Sequence, residues 1–336
     1  MRTLALAQVG CGYWGPNLLR VFQGLEGSRL KWLCDKKPGR LAWARERYPG
    51  VKMTAELSDV LRDPEVEAVV IATEVVTHHA VAKAALLAGK HVFIEKPLAH
   101  SVREAKDLAK LAASKRRVLC VGHVFLYHPA FRAMREQVTP GRLGRLRYVD
   151  MVRINPGPPE PRHDVLWDMA PHDVAMALDL AAAAPLSVRA TGLRWTLKLN
   201  EAAFFEIRFP RGVLARIHVS WMSSRRIRRV EAYCEKGSVF YDDMEPVEKI
   251  KIVLPGEDTR VGAKSGEKKT LFYGPGETIV PVLPKEEPLK NECSDFLEAV
   301  RRGRRPYSGA ELGVNVVRIL EAAAKSAAAG GKEVAL

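Results

Sequence analysis

The stretch "LALAQVGCGYWGPNLLRVF", residues 4–22, decides how the rest of the chain is read. An apolar run, Leu4 to Val9, leads into Gly10, Gly12 and Gly15, spaced G-x-G-x-x-G, and "NLLRVF" follows with helical spacing. Three glycines in that order are a weak signal alone; a strand before and a helix after make them a phosphate-binding turn. Gly10 permits the tight turn, Gly12 lets a pyrophosphate approach the backbone, and Gly15 lets helix and strand pack closely. Free N–H groups at the helix start hold the anion, and Pro16 suits an early helical position, where no N–H is needed. Tyr13 and Trp14, inside the turn, are counted among the cofactor-contacting residues.

A second strand, "RLKWLCD", ends at Asp35, where an acidic residue would accept hydrogen bonds from an adenosine ribose. Asp35 repels a ribose 2′-phosphate and favours NAD, while Lys36, Lys37 and Arg40 keep NADP open. Further apolar runs at 67–72, 91–94 and 117–121 alternate with helical patterns near 15–24, 39–48, 77–89 and 101–115. Thr77 and Ser101 are read as N-caps, and Gly89 sits where a helix stops. Short apolar strands alternating with helices predict β-α-β units around a parallel sheet. The fold class is α/β, with a doubly wound Rossmann sheet over residues 1–122.

Beyond residue 123 the texture changes. A helix over 128–138 and another near 169–182 flank "LRYVDMVRIN" and a Pro/Gly-rich loop. Alternating segments at 187–196, 202–209, 213–221, 228–234 and 237–241 predict a largely antiparallel open sheet. Residues 123–336 are therefore assigned to an α+β domain, closed by helices within 286–328. A chain of 336 residues is long for one core, which agrees with two domains.

Composition narrows the function. No apolar run reaches the 18 or so residues of a membrane span, and the first residues lack the apolar core of a signal peptide. A cytoplasmic protein with no membrane partner is expected. Five scattered cysteines without a C-x-x-C pair argue against disulfides and against a zinc site, so no metal is expected. The 53 Lys and Arg against 39 Asp and Glu favour an anionic ligand. The basic runs carry no interleaved aromatics, and nucleic acid is not expected as a partner.

Two stretches carry chemistry. "GKHVFIEKPLA", residues 89–99, comes off a parallel strand, so Glu95 and Lys96 face the ligand side at its carboxyl end. A lysine there can hydrogen-bond a substrate hydroxyl and assist alkoxide formation; a surface lysine paired with Glu95 is the alternative. "DVLWDMAPHDVAMALDL" places Asp168 and His172 four apart on one side of a helix start. Histidine is a suitable base for a hydroxyl proton, and a carboxylate can orient it. The plainer alternative is an N-cap aspartate and a packing histidine. Arg153 and Asn155 alternate on one strand and share a face, and Arg162 follows on the loop. These three could bind a carboxylate or hydroxyls, with a solvated sheet edge the alternative for Arg153. Tyr127 and His123, one turn apart if that stretch is helical, are read as lining the substrate side. A structural role is equally open for His123.

Together, "GCGYWGPN", "GKHVFIEKPL" and "WDMAPHD" resemble the glucose–fructose oxidoreductase/inositol dehydrogenase (Gfo/Idh/MocA) family. The resemblance extends through "VGHVFLYHPAF" to "KNECSDFLEAVRRGRRPYSGAELGVNVVRILEAA". It implies an N-terminal Rossmann domain, an open-sheet second domain that binds substrate and forms a homodimer or homotetramer, and oxidation or reduction of sugar-like alcohols with NAD(P). Thr73, His78 and Glu95 then belong with the cofactor residues. Lys96, followed by a cis bond to Pro97, would polarise the carbinol oxygen; His172 would take its proton beside Asp168. "GYWGPN", the "R-x-N" of "VRINPG" and "VLWDMAPHD" look most like the branch acting at C3 of UDP-N-acetylglucosamine or its uronic acid. A dehydrogenase of free sugar or inositol, an NAD-dependent glycosidase and a non-catalytic sensor are the rivals. Two departures stand out: Glu74 where many relatives have proline, and the proline-rich "PGPPEPRH".

Overall fold

The computed structural model describes residues 2–139, 142–157, 163–256, 260–262, 270–272 and 276–336. It divides into two units: the chain through Tyr127 together with Glu286–Glu321, and His128–Lys285 together with Ala322–Leu336.

The first unit is built on six parallel strands: β1 (Leu4–Val9), β2 (Ser28–Cys34), β3 (Lys52–Thr54), β4 (Ala68–Ile71), β5 (His91–Glu95) and β6 (Leu119–Gly122). Their spatial order is β3-β2-β1-β4-β5-β6, with every paired neighbour parallel. The order reverses at β1, so ligand is expected beyond the carboxyl ends of β1 and β4. β1 and β4 are buried along their whole length, as central strands covered on both faces must be. The connecting helices are α1 (Gly15–Gly24), α2 (Pro38–Arg47), α3 (Leu57–Arg62), α4 (Val75–Leu87) and α5 (Val102–Ser114). Ser101 caps α5 by accepting the N–H of Glu104, and Gly89 takes a φ of +74° just after α4. Thr77 does not cap. It lies inside the first turn of α4, where its hydroxyl bonds Thr73 and the carbonyl of Glu74. β3 and α3 escaped the sequence reading because three and six residues are too few to show a period.

The second unit contains α6 (Pro129–Val138), β7 (Leu146–Ile154), the single turn α7 (Val165–Asp168), α8 (Ala170–Ala181) and the strands β8 (Ser187–Leu193), β9 (Ala202–Arg208), β10 (Leu214–Ser220), β11 (Ile227–Cys234), β12 (Gly237–Asp242) and β13 (Ile250–Val253). Short strands β14 (Arg260–Gly262) and β15 (Thr270–Phe272) pair with each other, and β16 (Thr278–Ile279) joins β13. Helices α9 (Pro288–Arg302) and α10 (Ala310–Ala328) and the edge strand β17 (Val334–Ala335) complete the chain. The large sheet runs β16-β13-β12-β11-β7-β10-β9-β8-β17. Only β7 and β10 pair in parallel, and buried and exposed residues alternate along β9 and β10, the pattern of a sheet with one covered face.

The domain division differs from the expectation. α9 and the start of α10 belong to the first unit, not the second. The reason is aromatic packing: Phe296 of α9 meets Phe22 and Phe93 edge-on, with ring centroids 6.3 and 5.7 Å away. All three rings are fully buried. Among the described residues no helix is long and apolar enough to cross a membrane, and all five cysteines are free thiols.

Candidate active site

Gly10 has a φ of +94°, and a Cβ there would stand 2.5 Å from the carbonyl oxygen of Ala72. Only glycine fits, because β4 passes so close. A Cβ on Gly15 would meet the Gly10 carbonyl oxygen at 2.9 Å. Gly12 is open: its nearest neighbours are the guanidinium atoms of Arg40, at 3.7 Å or more. The turn thus leaves a side-chain-free approach to the start of α1, which has no acidic residue in its first turn. That arrangement fits a dinucleotide pyrophosphate. Tyr13 is 95% exposed on the turn, and Trp14 beside it is partly exposed.

Asp35 is buried, and its carboxylate braces the turn. Oδ2 accepts the Cys11 N–H at 2.7 Å and Arg40 at 3.2 Å, and Oδ1 accepts the Lys37 N–H at 2.8 Å. A carboxylate has about four acceptor positions, so one remains on Oδ1 for a ribose hydroxyl.

At the end of β5, the Lys96–Pro97 bond is cis. Lys96 is half-buried. Burial pushes Glu95 up to about 7, against the pull of the Lys96 charge and of hydrogen bonds from the Lys96 N–H and Trp14. Its carboxylate lies against Gly122, where a Cβ would be 3.0 Å from both oxygens. Thr73, half-buried after β4, accepts the hydroxyl of Thr77.

Three side chains considered for ligand contact on this unit are buried. His78 is buried, and its ring spans the carbonyls of Pro97 (2.9 Å) and Thr73 (3.2 Å). It cross-braces the segments that follow β4 and β5. Tyr127 is fully buried; its hydroxyl donates to Asp295 at 2.8 Å and accepts the Ser308 N–H at 3.1 Å. It ties the turn after β6 to α9. His123 is buried too, and its pKa falls to about 3, first from burial and then from the Lys96 charge. It stays neutral across the physiological range.

In the second unit, Asp164 caps α7, accepting the N–H groups of Leu166 and Trp167 at 3.1 and 3.3 Å. Helical structure therefore begins earlier than expected, and Asp168 is the exposed last residue of that first turn rather than an N-cap. His172, half-buried, follows in the first turn of α8, one helical turn on and on the same side. The indole of Trp221 donates to Asp168 Oδ2 at 3.1 Å. Asn200 donates to Asp164 Oδ2 at 2.9 Å. Neither Trp221 nor Asn200 was legible in the sequence, since each is brought to α7 by strand pairing.

Arg153 is the largest correction. Arg153 lies on β7 while Asn155 falls just past its end, and the Arg153 guanidinium turns inward and grips Asp173 through bonds of 2.6 and 3.1 Å. A buried pair of this kind holds β7 to α8 and is already committed. Asn155 is half-buried just past β7, its N–H donating to Ser220. Arg162 lies outside the described residues. Among the described residues no group of three or more His, Cys, Asp or Glu side chains could hold a metal ion.

Comparison with known proteins agrees with this architecture. Residues 4–123 match the model of the oxidoreductase family with the NAD-binding Rossmann fold, and 131–240 match the Gfo/Idh/MocA C-terminal domain. The chain is 30% identical to UDP-N-acetylglucosamine 3-dehydrogenase of Acidithiobacillus ferrooxidans over 260 residues, 77% of each chain. A solved structure of that enzyme superposes with a TM-score of 0.85, covering 98% of this chain and 99% of the other. Inositol 2-dehydrogenase of Rhizobium meliloti is 25% identical over 97% of both chains. Glycine turn, strand order and second-domain sheet thus converge with these matches: the chain belongs to the Gfo/Idh/MocA family of oxidoreductases, with an NAD-binding Rossmann unit at its N-terminus.

Proposed function

We propose that the protein is an NAD-dependent dehydrogenase of a sugar secondary alcohol, acting at C3 of a UDP-activated N-acetylhexosamine. The observation that carries the reading is the Asp168–His172 turn, an acid and a base one turn apart with the acid held by an indole N–H. The likeness to UDP-N-acetylglucosamine 3-dehydrogenase supports the substrate class. Bound NAD supplies the hydride acceptor. Gly10, Gly12, Gly15 and the start of α1 would hold its pyrophosphate, and Asp35 a ribose hydroxyl. His172 takes the hydroxyl proton, Asp168 orients the imidazole, and Lys96 supplies positive charge to the alcohol oxygen as it loses that proton.

The inward turn of Arg153 favours the uncharged N-acetylhexosamine over its uronic acid, since that guanidinium is spent on Asp173. Oligomerisation through the open sheet face is part of the same reading. Stacked aromatic pairs, Tyr148 on Tyr233 (4.3 Å) and Phe204 on His218 (4.2 Å), stand on it, with Tyr148 and Phe204 exposed.

The test is NADH formation, followed by absorbance, with UDP-N-acetylglucosamine, its uronic acid, free glucose and myo-inositol. Reduction with UDP-N-acetylglucosamine alone supports the reading. Reduction with free polyols moves the protein to the inositol side, and silence with all four overturns the dehydrogenase reading in favour of glycosidase or sensor. Lys96→Met should retain NAD and lose turnover; undiminished turnover would remove Lys96 from the chemistry.

A further inference from the structure

β1 reads Leu-Ala-Leu-Ala-Gln-Val, and every residue of it is buried. Gln8 is the single polar side chain in that central strand and is 0% exposed. A carboxamide in such a place costs stability unless its hydrogen-bonding atoms are matched. Gln8 matches only half of them. Nε2 donates to the carbonyl oxygens of Gly10 at 2.8 Å and Gly15 at 3.0 Å, while Oε1, equally buried, has no partner among the described residues. An apolar residue would avoid that cost, so stability alone does not account for a glutamine here.

What the amide does is local. Gly10 and Gly15 are the first and last glycines of the turn, and one NH2 group ties their carbonyls together from beneath. The peptide joining Gly10 to Cys11 is then held at both ends: its oxygen by Gln8, and its N–H by Asp35 Oδ2 at 2.7 Å. Fixing that peptide plane fixes which way the turn presents its remaining N–H groups. A turn already in its binding conformation loses less freedom when an anion arrives.

We propose that Gln8 is a positioning residue for the dinucleotide, holding the glycine turn in its pyrophosphate-receiving shape from inside the sheet. The inference concerns the cofactor unit and does not depend on which sugar is oxidised.

The test is Gln8→Met, similar in length and without donors, with Gln8→Leu as a second apolar replacement. NADH binding is followed by fluorescence titration, and thermal melting is recorded without nucleotide. The expected result is a rise of about tenfold in the NADH Kd, the scale of lost hydrogen bonds, with a melting midpoint unchanged or raised. At saturating NAD, the sugar KM should stay at the wild-type value. An unchanged Kd in either variant that folds overturns the proposal. So does a Kd that rises only together with a large fall in the melting midpoint in both variants, because Gln8 would then be an ordinary packing residue.

Discussion

Arg153→Met should destabilise the second unit by about 3–5 kcal/mol. The guanidinium and the Asp173 carboxylate face each other at 2.6 Å with side chains only 5% and 1% exposed. Deleting the cation strands a charge that water cannot reach, so the cost is the penalty of an uncompensated buried carboxylate rather than the net worth of the pair. At about 2–4 °C per kcal/mol for a unit of this size, the melting midpoint falls by about 6–20 °C. The double variant Arg153→Met/Asp173→Leu removes both charges and leaves apolar side chains in their place, and it should recover most of the loss. Melting curves for the wild type, both single variants and the double variant close the cycle. If Arg153→Met melts within about 2 °C of wild type and instead raises the sugar KM, the guanidinium serves substrate and the buried-pair reasoning fails.

Phe296→Ala should cost the first unit about 3–5 kcal/mol by opening a cavity among three packed rings. NAD at about a hundred times its Kd should return about 2.7 kcal/mol. Melting with and without NAD checks both, and a loss below about 1 kcal/mol would contradict the assignment of α9 to the NAD-binding unit. Glu95→Gln should change the pH dependence of stability. The folded protein keeps the Glu95 proton up to about 7, whereas the unfolded chain releases it near 4.5. Stability contributed by that proton is therefore lost as pH rises between those values. Urea unfolding of the nucleotide-free protein at about pH 5 and pH 8 should show the variant gaining on the wild type at the higher pH. Parallel behaviour would mean that Glu95 is solvated after all.

The N-terminal unit was legible because each of its signals is local. A buried strand, a glycine turn that tolerates no Cβ and a helix start follow one another within residues 4–22. Asp35 is also set by local rules, as the residue that closes the second strand. The exposed acid and half-buried base at 168 and 172 needed only the helical repeat. Strands β8 to β12 of the larger sheet followed from alternation, since one covered face imposes a period of two, whereas β13, β16 and β17 are too short to show it.

Tertiary structure alone decided where side chains of long reach are spent. Arg153 reads as a strand residue available to a ligand, but nothing in the sequence says that Asp173, twenty residues on, is buried beneath it. Tyr127 reads as lining the substrate side from its one-turn spacing to His123, and that spacing does not say which way the ring turns; Asp295 and Ser308 hold its hydroxyl inside the unit. α9 reads as an amphipathic helix at the end of the chain, and an apolar stripe does not name the core it will enter; Phe22 and Phe93 do. The sequence determined the longer elements, the turn and the types of chemical group. The assignment of each charge and ring to a partner waited for the fold, because burial and pairing depend on residues far apart in the chain.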